Sequence, residues 1–331
     1  MIVNPMTAGH GGLSTVSFGF GRQVPGLKKA VQQSVAQKDA VLHRSILVAQ
    51  KNLFLPYQSH NDQWMPRRTC IVPRSGVSIP PLEMSSLLAS QPGPWVGIAA
   101  NTLVYILGNK VLLRGLTWEG YYSSWVLGAL SFSAFGVYGY SVVCLYFIVG
   151  SWVTKLKMEV KEKEGTAEAR GGRRGIGSVL GSGVAGMACA ALALSPLPLE
   201  YTMLQVGFLA SFCSKLSDTV SSEIGKVYGR TTYLATTFAP VLRGTEGAVS
   251  AEGTLAGVVA SVLLSGYAFL VHMIDIKGLL CVVSASLIAN YIESVIGATF
   301  QDTIPWLTNN VVNMIQITLA SLIAMGLFFA F

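Results

Sequence analysis

The sequence predicts an all-α, polytopic integral membrane protein with six to eight transmembrane helices, seven as the working count, behind an N-terminal leader. Three observations point there. Mean hydropathy is +0.52, and only 12% of the 331 residues are charged, where a soluble domain carries about a quarter. Apolar runs recur from Pro94 to Phe331, and about 20 such residues suffice to cross the hydrocarbon core as a helix. The net charge of +7 is confined to residues 1–80, and the remainder balances. The basic character therefore belongs to the leader and gives no reason to expect nucleic acid as a partner.

Residues 1–80 hold Arg22, Lys28, Lys29, Lys38, Arg44, Lys51, Arg67, Arg68 and Arg74 against Asp39 and Asp62, with many serines and no apolar run of spanning length. A basic, serine-rich, acid-poor start is the composition of an organelle transit peptide. The alternative is a disordered cytosolic tail. Cleavage is expected between about residues 60 and 90, since no sharper signal is present. Cys70, Cys144, Cys189, Cys213 and Cys281 form no C-x-x-C pair, and the last four lie in apolar runs. They read as small buried hydrophobes, not as a disulfide frame or a zinc site.

The first apolar run is Pro94 to Leu113, ended by Lys110 and Arg114. Tyr121 to Val153 is too long for one ordinary span and carries Gly128, Gly136, Gly139 and Gly150. It reads as two short helices meeting near Gly136 and Gly139, or as one long tilted helix. Trp118, Trp125 and Trp152 sit near its ends, where interfacial aromatics belong. The loop Lys155–Gly175 opens with the helix-forming KLKMEVKEKEG and closes with RGGRRGIGS. Its arginines among glycines suit phosphate oxygens and serve equally as a positive-inside topology signal. No G-x-x-x-x-G-K-[S/T] phosphate loop occurs in the chain.

Ile176 to Leu194 follows, rich in small residues that permit close helix packing in lipid. Pro196 and Pro198 turn the chain into a short apolar run, Tyr201 to Phe212. Two crossings joined by this turn bring the basic loop and the next polar stretch to one membrane face. That stretch sets Lys215, Asp218, Glu223, Lys226, Arg230, Arg243, Glu246 and Glu252 among small residues and hydroxyls. A solvated loop would account for it. So would a site in which carboxylates hold a divalent cation and cations hold phosphate.

Asp218 and Glu223 are five residues apart, about 140° round a regular helix. Either the helix breaks near Gly225, or the two acids serve different ligands. Ser250 is a suitable N-cap for a following helix, and a helix start behind the turn of Gly244, Gly247 and Gly253 is a ready anion site. Thr254 to Ile274 and Gly278 to about Thr299 are the next spans by length. Glu293 lies late in the second, where an acid is costly unless paired, set in a wet cavity or able to reach the headgroups. Asn309, Asn310 and Asn313 open the last span, Val311 to Phe331.

The blocks DTVSSEIG (218–225), RGTEGAVSAEGTLAG (243–257), NYIESVIGATFQ (290–301) and LTNNVVNMIQ (307–316) resemble, in that order, the signature of the membrane family called domain of unknown function 92. The resemblance covers residues 85–331. Plant plastid members of that family are phytyl-phosphate kinases of tocopherol and phylloquinone synthesis. It implies a chloroplast membrane enzyme, envelope or thylakoid. Such an enzyme transfers a phosphoryl group from a nucleoside triphosphate, CTP or ATP, to phytyl phosphate. Asp218, Glu223, Glu246 and Arg243 are then expected at the reaction centre, with Mg2+ on Asp218 and Glu246. Arg173, Arg174, Lys215, Lys226, Gly244, Thr245, Gly247, Ser250, Glu293 and Asn310 would surround the phosphates. A kinase acting on free phytol or another polyprenol is the alternative enzyme. A transporter, with Glu293 as its coupling site, is the alternative from another class; it predicts related halves with broken helices, and the chain has no convincing internal repeat.

Overall fold

The computed structural model describes residues 91–301 and 303–331; the leader, its cleavage point and Cys70 lie outside them. The described part is helical apart from a pair of two-residue strands. In chain order the elements are α1 (Pro94–Gly115), α2 (Trp118–Lys155), α3 (Met158–Lys163), α4 (Ile176–Ala193), α5 (Tyr201–Tyr228), β1 (Tyr233–Leu234), β2 (Ala248–Val249), α6 (Ala251–Leu270), α7 (Ile276–Ile296) and α8 (Asn309–Ala330). Among the described residues six helices are long and apolar enough to cross a membrane: α1, α2, α4, α6, α8, and α7 with the π-turn that follows it.

Local chemistry sets the helix starts. Pro94 opens α1 from the first turn, where its missing N–H is no loss. The Thr117, Ser250 and Asp275 side chains accept from the N–H of Gly120, Gly253 and Gly278 and so cap α2, α6 and α7.

α2 is two arms, not one rod. Gly136 has φ 62° and ψ −160°, a backbone region that is essentially glycine-only. Beyond it the chain doubles back. Tyr140 reaches within 3.1 Å of where a Gly128 side chain would begin, although twelve residues of straight helix would separate their backbones by about 18 Å. Gly120 and Gly150, from opposite arms, both lie against Arg174, and Lys155 Nζ donates to the Arg114 carbonyl at 3.3 Å. The break expected near Gly136 is therefore real. With α2 counted twice and α5 included, the chain passes eight times between the two ends of the bundle, at the top of the expected range; seven results when 118–155 is taken as one helix.

α5 occupies the centre and packs against α2, α4, α6, α7 and α8. Its residues from Val206 to Ser217 are buried throughout. Its contact with α6 is backbone to backbone: a side chain at Gly253 would meet the Ser221 carbonyl at 2.5 Å, and one at Gly257 would meet that of Ser217 at 2.8 Å. Below the polar end, the Asn290 side chain lies within hydrogen-bonding distance of Ser214 (3.1 Å), Ser217 (2.8 Å) and Gln316 (2.6 Å). These ties join α5, α7 and α8. Trp118, Trp152 and Trp306 are exposed at the end of the bundle where α2 begins and ends and α8 begins, as aromatic anchors at a membrane interface would be. Cys144, Cys189, Cys213 and Cys281 are free thiols.

Candidate active site

At that same end the bundle opens into a cavity of about 530 Å3. Its walls come from both polar stretches of the sequence. The loop between α2 and α4 supplies Thr166 to Arg174, α5 supplies Lys215 to Lys226, and the β1–β2 hairpin supplies Thr232 and Arg243 to Ser250. The end of α7 adds Glu293 and Ser294, and the start of α8 adds Asn309, Asn310 and Asn313. All of the expected site residues border it: Arg173, Arg174, Lys215, Asp218, Glu223, Lys226, Arg243, Gly244, Thr245, Glu246, Gly247, Ser250, Glu293 and Asn310. The basic loop and the central motif thus share one face, and Glu293 points to it.

Their commitments differ. Lys215 donates to Asp218 at 2.5 Å, an i,i+3 pair on α5. Glu223 is buried, and both of its oxygens are taken by lysines: Oε2 by the wholly buried Lys161 of α3, Oε1 by Lys226 at 3.0 Å. α5 continues unbroken past Gly225 to Tyr228, so the two acids do serve different partners, as their angular separation requires. Lys226 also reaches Glu168 at 3.4 Å. The lysines on Glu223 thus pin the 157–174 loop to α5, a holding task beside the place at the reaction centre expected for that acid. Lys161 escapes a reading of local sequence, because its partner lies 62 positions away.

The arginines divide likewise. Arg173 is turned to the end of α1 and donates from Nε and Nη2 to the Leu116 carbonyl at 3.2 and 2.9 Å. Arg174 donates to the Tyr146 hydroxyl and stacks over that ring at 4.7 Å from its centre. Arg243 stands on the exposed rim, 3.9 Å from Glu164. Arg170, absent from the expected set, lines the cavity and makes no ion pair among the described residues. It sits in a left-handed turn with Gly171 and Gly172, all three with positive φ.

The hairpin glycines have steric reasons to be glycine. Gly244 and Gly247 take φ +84° and +72°, and a side chain at Gly247 would strike Ser294 and Ala298 at the end of α7. Ser250 caps α6 as expected, accepting from Gly253 N at 3.1 Å. Two polar atoms at the cavity wall, Asn313 Oδ1 and Thr166 Oγ1, are buried without a hydrogen-bond partner.

Among the described residues no three acids, histidines or cysteines gather closely enough to hold a metal by themselves. Asp218, Glu246 and Glu293 nonetheless border the same cavity. One or two carboxylates fit Mg2+, which usually keeps several waters and binds substrate phosphates as well.

Fold and cavity together define a multi-pass integral membrane protein whose bundle ends in a cavity lined by both cations and carboxylates. Residues 101–321 match the family described as "Integral membrane protein DUF92", and the chain belongs to it. It is 47% identical over 248 residues to "Protein VTE6, chloroplastic" of Arabidopsis thaliana, covering 73% of this chain and 74% of that one. An uncharacterized membrane protein of Synechocystis is 46% identical over 71% of this chain and 91% of its own length. A methanogen relative, an uncharacterized membrane protein of Methanocaldococcus jannaschii, is 30% identical over 57% of this chain and 76% of its own. No solved structure matches.

Proposed function

We propose that this protein is a phytyl-phosphate kinase of the chloroplast membrane. It takes the terminal phosphoryl group of a nucleoside triphosphate, CTP or ATP, and passes it to phytyl monophosphate, giving phytyl diphosphate for tocopherol and phylloquinone synthesis. Family membership and the chloroplast relative support the class and the location. The observation that carries the reaction is the cavity itself: cations and carboxylates from four separate chain segments meet at one surface end of an apolar bundle. There a lipid-borne phosphate and a soluble nucleotide can meet.

Phosphoryl transfer is mostly a matter of bringing two anions together in line and neutralising charge on the transferred group. In this reading an ionised oxygen of the acceptor phosphate attacks the terminal phosphorus, the bond from that phosphorus to the bridging oxygen breaks, and the nucleoside diphosphate leaves. The attacking oxygen already carries its charge, so no strong base is required, in keeping with a chain whose only histidine after residue 60 is His272, at the far end of the bundle. Arg174, Lys215 and Arg170 hold phosphate oxygens, and Arg243 receives the nucleotide at the rim. Asn310 and Asn313, both on the cavity wall, orient the acceptor by donating from their side-chain amides to its phosphate oxygens. Mg2+ held by Asp218 and Glu246 would supply further neutralisation of the phosphates.

One observation favours a second reading, a kinase acting on free phytol or another polyprenol. Glu293 is a partly buried carboxylate on the cavity wall with no ion-pair partner within 4.0 Å among the described residues, and an alcohol acceptor needs such a base. The test is a substrate panel. Membranes holding the chain without its leader receive Mg2+, one of four labelled nucleoside triphosphates, and phytol or phytyl phosphate. Label entering phytyl diphosphate from the monophosphate alone is the expected result. Label entering phytol would establish the alcohol kinase, and no transfer to either lipid by folded protein would remove both.

A further inference from the structure

A second, apolar cavity of about 90 Å3 adjoins the charged one. It lies between α1, both arms of α2, and α4. The two cavities share Arg174, Tyr146 and Ser182 on their walls. Arg174 marks the boundary, with its guanidinium over the Tyr146 ring on one side and 5.9 Å from the centre of Phe147 on the other. From there the groove runs into the bundle between Leu112 and Val104 of α1 and Phe147 and Tyr140 of α2. Eight residues of helix make it about 12 Å deep. At its deep end the Tyr105 hydroxyl donates to Ser124 at 2.8 Å.

We propose that this groove seats the phosphate-proximal part of the isoprenoid chain, with Arg174 holding the phosphate at its mouth. The proposal deepens the kinase reading and rests on it for the identity of the lipid. Three features select this occupant. A charged cavity opening directly into an apolar one matches a molecule with an anionic head and a hydrocarbon tail. The walls combine aromatic rings with the branched side chains of Val104, Leu112, Val143 and Val179, apolar surfaces suited to a methyl-branched chain. The volume admits only the first few carbons, and Val104 is 41% exposed beside the more exposed Leu107 and Val111. The remainder of a long chain would therefore lie along the outer face of α1, in lipid.

The test reads binding and needs no turnover. The full membrane domain in lipid nanodiscs is irradiated with phytyl phosphate carrying a diazirine in its first isoprene unit, and adducts are mapped by mass spectrometry. Adducts expected on residues 104–116 and 140–147 should disappear with excess unlabelled phytyl phosphate, while phytol without phosphate competes at least tenfold more weakly. V143W should cut competable labelling tenfold or more. V104F, at a half-exposed position that tolerates bulk, should reduce it without disturbing the fold. Competable adducts on α5 to α8 would overturn the proposal. So would adducts in the groove that excess phytyl phosphate leaves unchanged, since ordinary bilayer lipid would then be the occupant. Labelling in the groove without any phosphoryl transfer in the substrate panel would leave the groove standing and remove the kinase.

Discussion

Replacing Lys161 with alanine should loosen the 157–174 loop more than any change at the exposed rim. Lys161 is fully buried and donates to both Glu223 and the Thr154 carbonyl. Removing one partner of a buried pair costs about 3–5 kcal/mol, because the other charge stays buried. Glu223 keeps Lys226 at 3.0 Å, which sets the expectation near the lower bound, about 3 kcal/mol. That corresponds to roughly 150-fold in the folding equilibrium. Reversible unfolding in mixed micelles gives the stability, and limited proteolysis reports on residues 155–175. The double variant K161M/E223Q should recover most of the loss, since it removes both charges of the pair. A loss below about 1 kcal/mol, the range of an exposed pair, with the loop still protected, would refute the claim that this pair fastens the loop.

Three further outcomes follow from the same geometry. G136A should lower stability by about 2 kcal/mol, because alanine resists the backbone conformation of the α2 turn; the unfolding midpoint reads it. G253V should cost about 2–3 kcal/mol by overpacking the contact between α5 and α6, and a cysteine pair placed across that contact should cross-link more slowly in the variant. R170A should weaken nucleotide binding about tenfold, the worth of one charge-assisted hydrogen bond, with the unfolding midpoint unmoved.

Much of this architecture is legible in the sequence because lipid imposes a simple rule on the outer helices. α1, α4, α6 and α8 begin and end within four residues of their apolar runs. The doubling of α2 is visible as excess length plus Gly136. α5 is the exception. Only Tyr201 to Phe212 reads as a span, yet the helix continues through the motif to Tyr228. Hydropathy registers exposure to lipid, and α5 is enclosed by protein from Val206 to Ser217, so it can carry Ser214, Lys215 and Ser217 buried in pairs. The gathering of candidate residues at one end follows from counting crossings. Which side chain is free and which is tied does not, because Lys161 with Glu223 and Arg173 with Leu116 join positions about 60 apart. The motif glycines illustrate the same limit: Gly247, Gly253 and Gly257 mark places where another backbone approaches closely, which the sequence alone leaves open to a phosphate.

The central claim is that the charged cavity is where phosphoryl transfer to phytyl phosphate takes place. Asp218 tests it most directly, since its carboxylate lines that cavity, pairs with Lys215 at 2.5 Å and is only partly buried. In membranes with equal amounts of folded protein, D218N should cut phytyl diphosphate formation from labelled nucleotide and phytyl phosphate by about 100-fold or more, the usual cost of one electrostatic group at a reaction centre. Its unfolding midpoint should fall, because the buried Lys215 loses its charged partner and keeps only the amide oxygen as acceptor, which is why the rates are compared at equal amounts of folded protein. Diphosphate formation within twofold of the unmodified protein would contradict the claim and move the chemistry, if any, out of this cavity.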